Sequence, residues 1–157
     1  MNVVRKRLTQ LTPAEYRACH AANFHSRASM QGDLRNNKNN PDAYAIMIWK
    51  GPRNTNKNLI GWSLLIPKKS APDIIPRRSK YHTQYWVKAQ YRRHGYGKML
   101  VNYVRAVDPH PYVIPHDLRS ASMFASVSGV SCHQDDRSFM LSIKRSNEHA
   151  KRNLHNR

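Results

Sequence analysis

Val87 to Leu100 reads Val-Lys-Ala-Gln-Tyr-Arg-Arg-His-Gly-Tyr-Gly-Lys-Met-Leu, and no other stretch of the chain is as suggestive of chemistry. Within it lies Arg-x-x-Gly-x-Gly, from Arg92 to Gly97. A β-rich run, Tyr81 to Val87, leads in, and a helical run, Lys98 to Val107, leads out. A strand that turns through glycines into a helix leaves the first N–H groups of that helix unpaired and directed outward. Those donors, at the positive end of the helix dipole, suit an anion. Gly95 and Gly97 allow close backbone approach because no Cβ intervenes. A pyrophosphate is the natural guest.

The surroundings narrow the nucleotide class. A dinucleotide fold calls for a third glycine, where Leu100 stands, and a nucleoside triphosphate loop calls for Ser or Thr after the lysine, where Met99 stands. The pattern met in full is Val-x-x-x-x-Arg-x-x-Gly-x-Gly followed by an amphipathic helix, carried by Val87, Arg92, Gly95 and Gly97. This resembles the acetyl-CoA pyrophosphate motif of the GNAT family of N-acetyltransferases. The resemblance implies an α/β fold, with a mixed central sheet of about six to seven strands flanked by about four helices. It also implies two parallel strands that splay apart at the cofactor cleft.

The same resemblance assigns roles. Backbone groups of Trp86, Val87 and Ala89 would hydrogen-bond the pantetheine arm, and the loop amides of Arg93, His94, Gly95, Tyr96, Gly97 and Lys98 would hold the pyrophosphate. Arg92, Arg93 and Lys98 add charge. The family's frequent base, a Glu six residues before the motif valine, is replaced here by Tyr81. Its frequent acid, a Tyr in the helix after the fifth strand, is replaced by Ala125. His82, with an unperturbed pKa of about 6.5, is the nearest alternative base, and strand alternation puts it on the face opposite Tyr81. Ser122 and Ser126 are the polar groups nearest the missing tyrosine. Candidate catalytic residues are therefore His82, Tyr81 and Ser126.

The elements that must position these groups follow from periodicity. Val3 and Val4 open a first strand. Thr12-Pro13-Ala14-Glu15 predicts a helix start with a Thr cap, Pro in the first turn and Glu closing a capping box. The helix that follows carries Tyr16, Cys19, His20 and Phe24, breaks near His25 and resumes before Gly32. Leu34 to Asp42 reads as a loop. Ala43–Trp49 and Leu59–Ile66 read as a hairpin around a turn at Gly51–Lys57. Pro67 to Ser79 reads as a long exposed loop. Tyr112–Ile114 reads as a short strand, His116–Ser128 as a helix with Gly129 after its end, and Phe139–Ile143 as the last strand. The order is β-α-β-β-β-α-β-α-β. One domain spans residues 1–145, and a basic tail occupies 146–157.

Composition bounds the partners. The chain has 157 residues, with 27 Lys plus Arg against 9 Asp plus Glu, a net charge of +18. That exceeds the magnitude of about 2–8 that solubility asks of a small domain, so a polyanion is expected: RNA, DNA or a protein bound to nucleic acid. A homo-oligomer or larger assembly is also compatible. No apolar run reaches membrane-span length and no secretory leader is visible. Two cysteines, Cys19 and Cys132, point to a reducing cytoplasm. Each precedes a histidine, but four zinc ligands would need both pairs to converge, and no metal is expected.

Two functions are compatible with this pattern. The first is an acetyl-CoA-dependent N-acyltransferase acting on an amine associated with a polyanion. The second is a catalytically inactive protein that serves as a structural or nucleic-acid-binding component of a larger assembly, such as a phage virion. The intact glycine loop favours the first. The absent acid and base favour the second.

Overall fold

A computed structural model of the chain describes residues 1–22, 29–53, 55–71, 75, 77–113 and 131–132. The expected helix over His116–Ser128, the last strand over Phe139–Ile143, the helix break near His25 and the candidate Ser126 lie outside the described residues. The elements are β1 (Asn2–Arg7), α1 (Pro13–Ala22), α2 (Ser29–Asn36), β2 (Tyr44–Trp49), β3 (Leu59–Pro67), β4 (Tyr81–Val87), α3 (Tyr96–Arg105), β5 (Tyr112–Val113) and β6 (Ser131–Cys132). The strands lie in one sheet in chain order. Pairing is antiparallel from β1 to β4 and parallel from β4 to β6.

The expected fold class is corrected by this arrangement. Among the described residues the substantial sheet is four antiparallel strands, and its parallel part shrinks to β5 and β6, two residues each. Three α-helices accompany it among the described residues. Among the described residues the β4–β5 ladder holds His82↔Tyr112 and Thr83↔Val113. Pro109 and Pro111 bring no N–H groups to a ladder, so pairing starts no earlier than Tyr112. Among the described residues a mixed sheet of six or seven full strands is not built.

Alternation along the strands produces two buried faces. On one, Ala45, Met47, Trp49, Trp62, Leu64 and Ile66 pack with Ala18 and Cys19 of α1 and with Met30 and Leu34 of α2. On the other, Ile46, Ile48, Ile60 and Leu65 pack with Leu100 and Val104 of α3. The expected loop at Leu34 is a correction too. α2 continues to Asn36 because Leu34, fully buried, anchors its last turn in the core. Burial of such an aliphatic side chain contributes about 1.5–3 kcal/mol, enough to outweigh the weak helix propensity of Asn and Asp nearby.

The capping box at α1 forms as its residues foretell. The Glu15 N–H donates to Thr12 Oγ1 at 3.1 Å, and the Thr12 N–H donates to Glu15 Oε1 at 3.0 Å. Lys6 of β1 donates to the same oxygen at 2.7 Å, which ties the edge strand to the helix start. Burial by itself pushes the Glu15 carboxyl up, but the Lys6 ammonium and the Thr12 hydrogen bonds outweigh it, and the net shift is downward. A lowered carboxyl stabilises the fold above the unfolded-state value of about 4.3, and that contribution is lost as pH falls through the folded value. Glu15→Gln is therefore expected to lower the thermal midpoint at neutral pH and to flatten its decline on acidification. Thermal melts of both proteins across the acid range check this. A parallel decline in both would remove Glu15 from the account.

Candidate functional site

β4 ends at Val87, and a short 3-10 turn, Ala89–Tyr91, carries the chain toward α3. The turn is held by the Tyr91 N–H on the Lys88 carbonyl at 2.8 Å and the Arg92 N–H on the Ala89 carbonyl at 3.3 Å. The Arg92 side chain then reaches back, its Nε donating to the Val87 carbonyl at 2.8 Å. This gives the five-residue spacing from Val87 to Arg92 a physical meaning: the guanidinium satisfies the carbonyl at the end of the strand and sets the arch of the loop. Arg92 is a loop-forming residue before it is a charge. On either side of the arch, Tyr91 and Tyr96 meet edge to face, ring centroids 6.0 Å apart, against the α3-side core.

The backbone of the arch turns left-handed twice. Arg93 has φ 65° and Gly95 has φ 87°. A left-handed residue among right-handed neighbours turns successive N–H groups toward one concavity. Gly95 is the N-cap of α3, and no side chain caps the helix. The first helical bond runs from the Met99 N–H to the Gly95 carbonyl at 3.0 Å. The N–H groups of Tyr96, Gly97 and Lys98 thus precede any helical acceptor. No acidic residue occupies the first turn. Arg92, Arg93, His94, Gly95 and Lys98 are exposed. The His94 ring Nδ1 lies 2.8 Å from the Arg92 carbonyl, which fixes the imidazole to the loop rather than over the amides.

α3 begins at Tyr96, two residues earlier than the helical run suggested, because the left-handed cap falls at Gly95. The reason for that glycine also shifts. A Cβ on Gly95 would meet nothing within 4 Å, so the position needs glycine for its dihedral angle and not for space. The glycine that needs space is Gly61 of β3, a position that sequence reading passed over. A Cβ there would sit 2.7 Å from the Trp86 carbonyl and 3.2 Å from the Val87 Cα. The close approach draws β3 against β4 where the loop begins. The Lys88 N–H on the Ile60 carbonyl at 2.8 Å locks the same junction. The hairpin turn brings exposed Lys50 and Lys57 to this end of the sheet, adding positive potential, while Arg53 of the same turn pairs with Glu15 at 3.8 Å.

The candidate acid and base sit at the other end of β4. Tyr81 is half-buried on the α3 side, edge-on to Tyr44 at 6.3 Å, and burial, then Tyr44 and Asp108, push its hydroxyl above the usual tyrosine value. A phenol in that state is a proton donor at neutral pH and no base. His82 is buried, and alternation places it on the opposite face, cross-strand from Ile66. Trp86 packs its side chain into the α1–α2 side core, leaving only backbone groups for a ligand. Cys19 lies within that same core, and burial together with Glu15 pushes its thiol up.

No protein-family model matches the chain, and no curated protein matches it either. Among the described residues no helix is long and apolar enough to cross a membrane.

Proposed function

We propose that this chain is an acetyl-CoA-dependent N-acyltransferase whose amine acceptor is part of, or lies against, a polyanion. The observation that carries the reading is the uncapped head of α3, where the N–H groups of Tyr96, Gly97 and Lys98 open behind a left-handed Gly95. Its donors, its lack of first-turn carboxylates and the neighbouring Arg93 and Lys98 fit a diphosphate. Acetyl-CoA would supply an activated acyl thioester. In this reading the amides of the α3 head hold the diphosphate, and backbone groups of Trp86, Val87 and Ala89 align the pantetheine arm along β4. Positioning of acceptor and thioester supplies most of the acceleration. His82 and Tyr81 lie on opposite faces of β4, so one of the two serves the cleft: Tyr81, on the α3 side and kept protonated by burial, is the proton donor for a departing thiolate, and the amine proton passes to water.

A second reading has its own support. Tyr81 is packed against Tyr44, His82 is buried on the other face, and no carboxylate occurs between Asp73 and Asp108. These fit a non-catalytic component of a nucleic-acid assembly, with the net charge of +18 as its working feature. Calorimetric titration with acetyl-CoA, followed by thiol release in the presence of amine acceptors, separates the two. Binding with thiol release supports the transferase. Absence of binding at millimolar cofactor leaves the cationic scaffold.

A further inference from the structure

We propose that Arg5 and Arg7, stacked together on Tyr44 along the edge strand β1, clamp two successive phosphates of single-stranded nucleic acid. The proposal rests on the polyanion half of the reading above and is independent of acyl transfer. The Arg5 and Arg7 guanidiniums lie 5.8 and 5.9 Å from the centroid of one ring, that of Tyr44. Arg7 Nε also donates to the Tyr44 hydroxyl at 3.3 Å. Arg7 and Tyr44 are direct cross-strand partners, and Arg5 is the diagonal neighbour on the same face. Tyr81 buttresses the ring from β4.

Three features separate this group from ordinary surface charge. First, both arginines are exposed, and among the described residues neither is in an ion pair. Second, among the described residues little nearby cancels them, Asp42 being the one carboxylate that acts on Arg7. Asp42 is the one exposed carboxylate among the described residues, and Lys69 neutralises it at 2.6 Å. Exposed Arg77 and Lys80 add to the same end of the sheet, where the Lys68 N–H meets the Lys80 carbonyl. Third, the arginines are preorganised. Charged residues on an edge strand also discourage sheet-to-sheet pairing, but that purpose does not require two guanidiniums held on one ring. Stacking removes much of the side-chain freedom that phosphate binding would otherwise have to freeze.

Spacing selects the ligand. Residues two apart on a strand project from the same face about 6.8 Å apart, a repeat comparable to that of phosphates along an extended single strand. Rings beside a cationic track are the usual equipment for such strands. The clamp lies on the edge strand, three strands and about 14 Å across the sheet from β4, so it is distinct from the head of α3.

Fluorescence anisotropy with a labelled oligouridylate 12-mer, across a salt series, tests the clamp. The unaltered protein is expected to bind with an affinity that falls linearly in log salt. The R5A/R7A double variant should bind about tenfold more weakly at moderate salt, with a salt slope shallower by about 1.4, two phosphates at about 0.7 each. Arg5→Lys with Arg7→Lys should keep the slope and still bind more weakly, since an ammonium does not stack as a guanidinium does. Unchanged melting and unchanged acetyl-CoA titration would show that R5A/R7A is folded. If it is not, Tyr44→Phe, which keeps the ring and removes the hydroxyl that holds Arg7, should weaken binding by about threefold. Binding by the unaltered protein that none of these variants alters overturns the clamp and leaves the polyanion reading standing. No binding by the unaltered protein overturns both. A duplex of the same length bound more tightly than the single strand also overturns it.

Discussion

Gly95→Val is expected to reduce acetyl-CoA affinity by about 100-fold, whereas Gly95→Asn should leave it nearly intact. The contrast follows from the two ways a glycine can be needed. At φ 87° a side chain is disfavoured by its own backbone, and a β-branched one most of all. Valine would therefore drive the cap out of the left-handed region and turn the N–H groups of Tyr96 and Gly97 away from their common concavity. Hydrogen bonds to a charged group are each worth about 1.5–3 kcal/mol, so loss of one or two accounts for the factor. Asparagine tolerates the left-handed region, and nothing lies within 4 Å of the position its Cβ would take. Calorimetry on the three proteins decides the matter. Equal loss in both variants would show that space at Gly95, and not its dihedral angle, is what the ligand needs. No loss in either would place the diphosphate elsewhere.

Arg93 gives an internal comparison. It holds φ 65° without being glycine, at a cost of about 1–2 kcal/mol. The fold tolerates that strain where Arg92 pins the Val87 carbonyl and the Tyr91–Tyr96 pair grips both ends of the arch. Strain that would relax if the loop were free is thus held by named contacts, which is what a preformed anion site requires.

What was readable from residues alone was local. Thr12 and Glu15 announce their cap because the capping box is closed within one turn. The β2–β3 hairpin is legible because apolar runs flank a turn, and Arg-x-x-Gly-x-Gly marks the loop because its geometry is written in its glycines. What was not readable depends on partners remote in sequence. Gly61 looks like any strand glycine until β4 is laid against it. Leu34 sits among polar residues, and only the core on the α1 side explains why α2 continues past it. The Arg5–Tyr44–Arg7 stack needs the β1–β2 register, which pairs residues 37 apart. The fold class failed for the same reason. A motif of about a dozen residues constrains one crossover. It says little about strands placed after it, and there the described ladders are two residues long.

The residue whose loss should cost most in stability lies just past the expected end of the helical run at Val107. Asp108 is fully buried. Its Oδ2 accepts the N–H groups of Lys80 at 3.0 Å and Tyr81 at 3.1 Å, and its Oδ1 accepts that of His110 at 3.2 Å. One carboxylate therefore joins the end of α3, the first residue of β4 and the approach to β5. Asp108→Ala would leave those donors without their acceptor, the exposed Lys80 and His110 open to water and the half-buried Tyr81 less so. At about 1–3 kcal/mol for a group left unsatisfied, the expected loss is about 2 kcal/mol. Asp108→Asn keeps an acceptor for Lys80 and Tyr81 but turns an N–H₂ group toward the His110 N–H or the reverse, so an intermediate loss is expected. Denaturant titration of the three proteins measures both. The loss should also be local first: amide exchange at Lys80, Tyr81 and His110 should quicken before that of β2 or β3, whose ladders do not depend on Asp108. An Asp108→Ala protein as stable as the original, with those amides still protected, would mean that water replaces the carboxylate at little cost. The start of β4 would then owe its position to pairing with β3 alone.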